Sequence, residues 1–232
     1  MISVDNIYKS YKNNQILKGA SFIADEGQLI SLIGKNGSGK STLLQIVAGC
    51  MKPDSGTVSI NSYNTLDNKK MFAELIGYVP QDNPLLENLS VYDNLKFWTP
   101  SKNKPDEAII DYFELMDLKK VKISTLSGGM KRRLSIACAL QKHPKIIIMD
   151  EPTAALDIYY QTSIRDWIKD FRNNNGTVII SSHNEAEIMM SDAVYLLTDG
   201  ITKQIDTKNV TMNEIRNYFL NSNINHKRGE EK

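Results

Sequence analysis

The chain has 232 residues, with 28 Lys and Arg against 27 Asp and Glu and a formal net charge of +1. That length fits one large α/β domain with a substantial core, and the near balance of charge supplies no global field for nucleic acid or an anionic membrane surface. Cys50 and Cys138 lie far apart without metal or redox spacing, the start Met1-Ile2-Ser3-Val4-Asp5 has no leader pattern, and no apolar run approaches the roughly 18 residues of a membrane span. A soluble protein of a reducing, cytoplasmic compartment is expected, without membrane insertion.

Residues 2–8 and 16–24 read as short strands joined by a polar turn, Ser10-Tyr11-Lys12-Asn13-Asn14. Gly27 opens a buried strand that ends at Gly34, and the next helix shows Leu43, Leu44 and Val47 on one face with Gly49 as its stop. Residues 52–56 are turn chemistry, 57–60 a short strand, 61–74 polar and poorly patterned, and 76–79 a strand closed by Pro80. Helical texture follows. Ser90 and Asp93 form an N-cap pair for a helix through Trp98. Pro105 opens a second helix, with Ile109, Phe113 and Met116 on one stripe, and a third runs from Ser127 to about Gln141. Residues 82–143 thus read as a helical block inserted in an α/β frame. The frame resumes with Ile146-Ile147-Ile148-Met149, an apolar run without alternation that suits a parallel sheet covered on both faces. A helix carrying Ile164, Trp167, Ile168 and Phe171 ends at Asn175-Gly176; strand 177–181, a short helix 185–190, strands 193–197 and 201–205, and a last helix from Thr211 to about Leu220 complete the series. Residues 221–232 are a polar tail, and there is no internal repeat.

The stretch Gly34-Lys35-Asn36-Gly37-Ser38-Gly39-Lys40-Ser41-Thr42 fits the phosphate-loop pattern in its strand-to-helix context. Glycines let backbone N–H groups line a concave anion site, and the helix that follows adds unpaired N–H groups and its positive dipole end. Lys40 brings a full charge for the outer phosphates and Ser41 a hydroxyl for Mg²⁺. Asp150 and Glu151 follow a buried strand, at the end where ligands gather in open parallel sheets, and so fall near the phosphate loop if the two strands are neighbours. Asp150 suits Mg²⁺ and Glu151 an attacking water; the alternative is that both acids cap a helix after Pro152. His183 also lies at a strand's carboxyl end, with a structural role as its alternative. His143 and His226 carry no assigned role. Ser127-Gly128-Gly129-Met130 at a helix start is a second anion site or an ordinary N-cap, and Lys131-Arg132-Arg133 is a solvated helix face or a partner contact.

Taken together and in this order, these motifs resemble the nucleotide-binding subunit of an ATP-binding cassette (ABC) transporter over nearly the whole chain. The phosphate loop resembles Walker A, residues 146–151 Walker B, and Ser127-Gly128-Gly129 the family signature, with Met130 where Gln is usual. Gln81 resembles the Q-loop glutamine, Ala155-Leu156-Asp157 the D-loop, His183 the switch histidine near the γ-phosphate, and Tyr11 the aromatic that stacks on adenine. The resemblance implies a phosphate-loop NTPase core with a mostly parallel sheet, a small antiparallel β lobe and an inserted helical subdomain: one domain over 1–220, with core 1–81 and 144–220 and helical part 82–143. It implies an ATPase using ATP and Mg²⁺, with Lys40, Gln81, Glu151 and His183 catalytic. Gly34, Asn36, Gly37, Ser38, Gly39, Lys40, Ser41 and Thr42 would hold the nucleotide with Tyr11, and Ser41, Gln81 and Asp150 the metal. Two cassettes would pair head to tail, so that Ser127, Gly128 and Gly129 complete the other copy's site. The implied partners are a second cassette and a separately encoded transmembrane permease at the inner face of the membrane; no nucleic acid is expected.

Non-transport cassettes of DNA repair or the ribosome are the rival reading. The former carry a long coiled coil inside the cassette, whereas 45 residues separate Gln81 from Ser127 here; the latter usually carry two cassettes in one chain. A binding module without hydrolysis conflicts with the presence of both Glu151 and His183. Residues 130–133 resemble export-type cassettes, and the chain stops soon after the last helix, without the regulatory domain of many sugar importers, so export is expected.

Overall fold

The computed structural model describes residues 1–100, 102–154 and 156–206. The helix expected from Thr211, the tail 221–232, His226, and Ala155 of the 155–157 segment lie outside the described residues. Two sheets form the frame. The first joins β1 (Ile2–Tyr11) and β2 (Asn14–Ala24) to two strands beyond the phosphate loop. The second begins with β3 (Leu29–Ile33), which feeds the loop and then α1 (Lys40–Val47). After them come β4 (Ser55–Ile60), β5 (Tyr63–Asn64), α2 (Lys69–Leu75) and β6 (Ile76–Val79). Three helices follow: α3 (Val91–Trp98), α4 (Glu107–Tyr112) and α5 (Gly128–Leu140), with a 3-10 turn at Ile123–Thr125 before the last. The chain then returns to the frame through β7 (Ile146–Asp150), α6 (Ile158–Asn173), β8 (Thr177–Ser181), α7 (Glu185–Met189), β9 (Ala193–Thr198) and β10 (Ile201–Ile205).

The antiparallel sheet has the order β2-β1-β4-β5. The larger sheet runs β10-β9-β3-β8-β7-β6 and is parallel except at the β9–β10 hairpin. The continuous apolar strands are explained by burial on both faces. Ile30, Leu32, Ile148 and Ile179 point to one side, where they pack on α1 and on Val4, Leu17 and Phe22 of the antiparallel sheet. Their neighbours Leu29, Ile147, Met149, Val178 and Ile180 point to the other, against Leu134 and Ala137 of α5, Leu95 of α3, and Ile164 and Ile168 of α6. A period-2 chain between two apolar layers has no polar face to show.

Several expectations need correction. β1 and β2 run further than expected, leaving only Lys12-Asn13 as the turn, with Lys12 at φ +53°. Residues 61–74, polar and poorly patterned in sequence, hold β5 and most of α2, and α2 buries only Phe72, too little apolar patterning to read. The second helix of the 82–143 block is capped by Asp106, whose carboxylate accepts from the Ala108 and Ile109 N–H groups, so Pro105 stands before the cap. It ends at Tyr112, with Glu114 at φ +53°, and Met116 falls outside it. Most consequential, β3 and β7 are not neighbours, since β8 lies between them.

Candidate functional site

Because β3, β6, β7 and β8 are parallel, their carboxyl ends open on one edge of the sheet. That edge carries a cleft of about 420 Å³. Asn36, Gly37, Gly39, Lys40, Ser41 and Thr42 line one side and Gln81, Asp150 and Glu151 the other, with Tyr11 and Ile16 at the antiparallel sheet. Gly34 is buried beneath the loop, and Ser38 faces an adjoining cavity beside Leu197, Thr198 and Asp199. His183 is within reach of two cleft residues: its Nε2 lies 3.1 Å from Lys40 Nζ and 3.1 Å from Glu151 Oε1. Tyr11 is about half exposed, its hydroxyl donating to Met51 Sδ at 3.2 Å.

The loop geometry follows from its composition. Gly39 is the N-cap of α1 at φ +102°, and a Cβ there would sit 2.8 Å from Ile16 Cγ2, so any other residue would be strained in backbone and would displace Ile16. The loop then wraps the lysine that follows it: Lys40 Nζ donates to Gly34 O at 2.8 Å and to Lys35 O at 3.1 Å. Burial pushes the Lys40 ammonium below its usual value, and the carboxylates of Glu151 and Asp150 pull it back up.

Separation of β3 from β7 is made good by a residue that sequence reading passed over. Ser181, at the end of β8, donates through Oγ to Asp150 Oδ1 at 2.5 Å and accepts the Glu151 N–H at 2.9 Å. It thereby sets both acids from the strand between them. Glu151 sits at φ +50°, a left-handed conformation that a non-glycine residue holds only when its surroundings enforce it. No helix starts at Pro152; α6 begins at Ile158 with Asp157 as its cap, so Asp150 and Glu151 are not helix caps. The one signal for Ser181 was a hydroxyl closing a strand that is apolar over Val178, Ile179 and Ile180.

Glu187 on α7 was also missed. It is 1 % exposed, and its carboxylate accepts from Thr153 Oγ1 at 2.6 Å and from Ser182 Oγ, so it ties the segment after Glu151 to the segment before His183. Burial pushes this carboxyl above the ordinary glutamate value of 4.5, against the two hydroxyl donors. The folded state therefore keeps a proton that the unfolded state has released, and stability falls as pH rises from about 4.5 through the raised folded value. Glu187→Gln removes this titration. Calorimetry across pH should show the variant's melting temperature gaining on the parent's above about 4.5, with parallel curves refuting the assignment.

Ser127, Gly128 and Gly129 do not line the cleft. They lie at the start of α5, Ser127 and Gly128 exposed and Gly129 half-buried, and Ser127 Oγ caps the helix by accepting the Met130 N–H at 3.3 Å. A Cβ on Gly128 would meet nothing, whereas one on Gly129 would sit 2.8 Å from the Tyr160 ring. The following basic residues are not a solvated face. Lys131 pairs with Glu87 at 2.8 Å, but Arg132 and Arg133 are each 4 % exposed. Arg133 pairs with Glu114 at 2.6 Å and stacks over Tyr160. No helix among the described residues is long and apolar enough to cross a membrane.

The chain is similar to known proteins in both sequence and fold. The ABC transporter family model matches residues 17–154, a stretch holding the loop, Gln81, Ser127 to Gly129, and both acids. A linearmycin resistance ATP-binding protein of Bacillus subtilis is 35 % identical, over 90 % of this chain and 70 % of its own. A spermidine/putrescine import ATP-binding protein of Mycoplasma mycoides subsp. mycoides is 34 % identical, over 97 % of this chain and 68 % of its own. A solved dimeric ATP-binding cassette in a post-hydrolysis state, bound to ADP and Pi, superposes with a TM-score of 0.82 at 28 % identity, covering 90 % of this chain and 100 % of that one. The family match over more than half of the chain, relatives above 30 % identity and the shared cassette fold agree, and the chain belongs to the ABC transporter family as an ATPase cassette.

Proposed function

We propose that this cassette closes as a head-to-tail pair on ATP, hydrolyses it, and so drives a separate transmembrane permease from the cytoplasmic face of the membrane. The observation that carries the reading is the convergence of Lys40, Ser41, Gln81, Asp150 and Glu151 on one cleft, with His183 hydrogen-bonded at its back.

In this reading the loop N–H groups of Gly34 to Thr42 and the Lys40 ammonium hold the phosphates, and Tyr11 carries the adenine. Glu151 accepts the proton of the attacking water, and His183 orients that carboxylate and contacts the γ-phosphate. The oxygen donors Ser41, Asp150 and Gln81 share the cleft and fit Mg²⁺, which takes few protein ligands and keeps its own waters and substrate phosphates. Bound there, Mg²⁺ would neutralise charge on the phosphate oxygens. Among the described residues no group of three or more His, Cys, Asp or Glu could hold a metal by itself, in keeping with that division. Chelation is the direct test. Phosphate release by the purified chain should fall to background in EDTA and return with added Mg²⁺; unchanged release in EDTA would remove the metal from the reading.

Partner contact is supported by a second, largely apolar cleft of about 360 Å³ between Tyr78, Pro80, Leu85 and Trp98. Pro80 lines it and the next residue, Gln81, lines the nucleotide cleft, so a permease segment seated there would bear on both. Residues 82–143 would move with it, Gln81 serving as hinge. Outward transport is the direction favoured by residues 130–133, which resemble export-type cassettes, while the relatives include both a resistance protein and an importer. Co-purification from native membranes tests the partner: recovery of an integral membrane protein is expected, and ribosome co-sedimentation would favour the non-transport reading instead.

A further inference from the structure

Arg132 has no place in the roles above, yet it is the most fully engaged side chain near the cleft. It leaves α5 one and a half turns after Ser127 and is 4 % exposed. Its Nε donates to Pro152 O at 3.1 Å. Its Nη1 donates to Pro80 O at 2.5 Å and Gln81 O at 3.4 Å, and its Nη2 to Asp150 O at 2.7 Å and Glu151 O at 3.2 Å. The five N–H groups of the guanidinium therefore meet five backbone carbonyls. Those carbonyls belong to two separate segments, the one just after β6 and the one from the end of β7 onward. No carboxylate oxygen takes part. A planar fork is the only side chain that can span both segments at once, since an ammonium has three donors around one point.

We infer that Arg132 is a positioning residue that locks the backbone of Gln81 and of Glu151 to the helix bearing Ser127 and the glycine pair. Two consequences give this physical content. The left-handed turn at Glu151 is held from both sides, with Ser181 on its N–H and Arg132 on its carbonyl. A shift of α5 must also carry the fork with it, or break the five hydrogen bonds of a guanidinium that is 4 % exposed. In a head-to-tail pair, Ser127 serves one nucleotide while Gln81 and Glu151 of the same chain serve the other. Arg132 therefore links the two composite sites within a single copy.

The inference rests on the proposed roles of Gln81 and Glu151, and the experiment separates the two. Arg132→Lys keeps the charge and removes the fork. Equilibrium ATP binding without Mg²⁺ should stay within twofold of the parent, because Lys40 and the loop are untouched, while kcat falls tenfold or more at little-changed KM. Peptide-level hydrogen exchange should rise together in the segments around 81 and 151 and stay unchanged in β3. Arg132→Gln, whose two donors also sit on one nitrogen and whose amide oxygen would face carbonyl oxygens, should be no more active than Arg132→Lys. Parental kcat in Arg132→Lys would overturn the inference. So would loss of ATP binding together with melting in both variants, since Arg132 would then be a brace of the fold alone. If Glu151→Gln hydrolyses ATP normally, the proposed function fails whatever Arg132 does; if that variant is dead and Arg132→Lys is normal, only this inference fails.

Discussion

Replacing Glu151 by Gln is expected to lower ATP turnover by about a hundred- to ten-thousand-fold, the range of a lost general base, while ATP binding survives. The two halves of that expectation have separate causes. Gln is nearly isosteric with Glu and retains an oxygen toward His183 Nε2, now 3.1 Å from Glu151 Oε1. The backbone at 151 is fixed by Ser181 and Arg132 through main-chain atoms, which the substitution leaves alone. The nucleotide-holding groups, Lys40 and the loop, follow a different strand, β3. Only the capacity to take a proton from water is removed. Because the γ-phosphate then stays, and acts as a ligand favouring the closed pair, ATP-dependent dimers should persist in light scattering where the parent's dissociate. Unimpaired phosphate release in this variant would take Glu151 out of the role and leave the cleft without a base.

How much of this was legible in the sequence depends on whether the signal was local. The phosphate loop, β7 with its two acids, and the cap at Ser127 are each written in fewer than ten consecutive residues, and each forms where it was expected. The convergence of loop and acids was legible too, but for an incomplete reason. It was argued from adjacency of β3 and β7, and strand order is a global property that no local pattern encodes. The acids reach the loop because all four strands point the same way and because Ser181 on the intervening strand holds Asp150 and Glu151. Arg132 and Arg133 show the opposite failure. Consecutive basic residues on a helix read as a solvated face or a partner contact, and burial of a guanidinium makes sense only once its acceptors, drawn from segments 18 to 52 residues away, are seen together. Glu187 was invisible for the same reason: two hydroxyls from different segments convert an ordinary helix acid into a buried tie.

A mixture of two inactive variants should recover activity that neither has alone. Lys40→Ala strips the loop of the charge for the outer phosphates, and Ser127→Arg places a bulky cation where Ser127 and Gly128 now stand open to solvent. Each variant alone forms pairs in which both composite sites are spoiled. A mixed pair is different: the loop of the Ser127→Arg copy meets the intact glycine pair of the Lys40→Ala copy, so one site is whole and the other doubly damaged. With equal amounts and random pairing, about half the pairs are mixed and each has one of two sites intact. About a quarter of parental activity is then the ceiling, if sites fire independently. The structure makes the test clean. Ser127 is exposed and caps α5 through its hydroxyl, so a longer side chain there extends into solvent at the cost of that one cap hydrogen bond. Lys40→Ala removes hydrogen bonds to Gly34 O and Lys35 O without adding bulk. Activity of the mixture that stays at the sum of the two separate variants would mean that one copy holds its nucleotide without the other. Ser127, Gly128 and Gly129 would then be no more than the start of a helix.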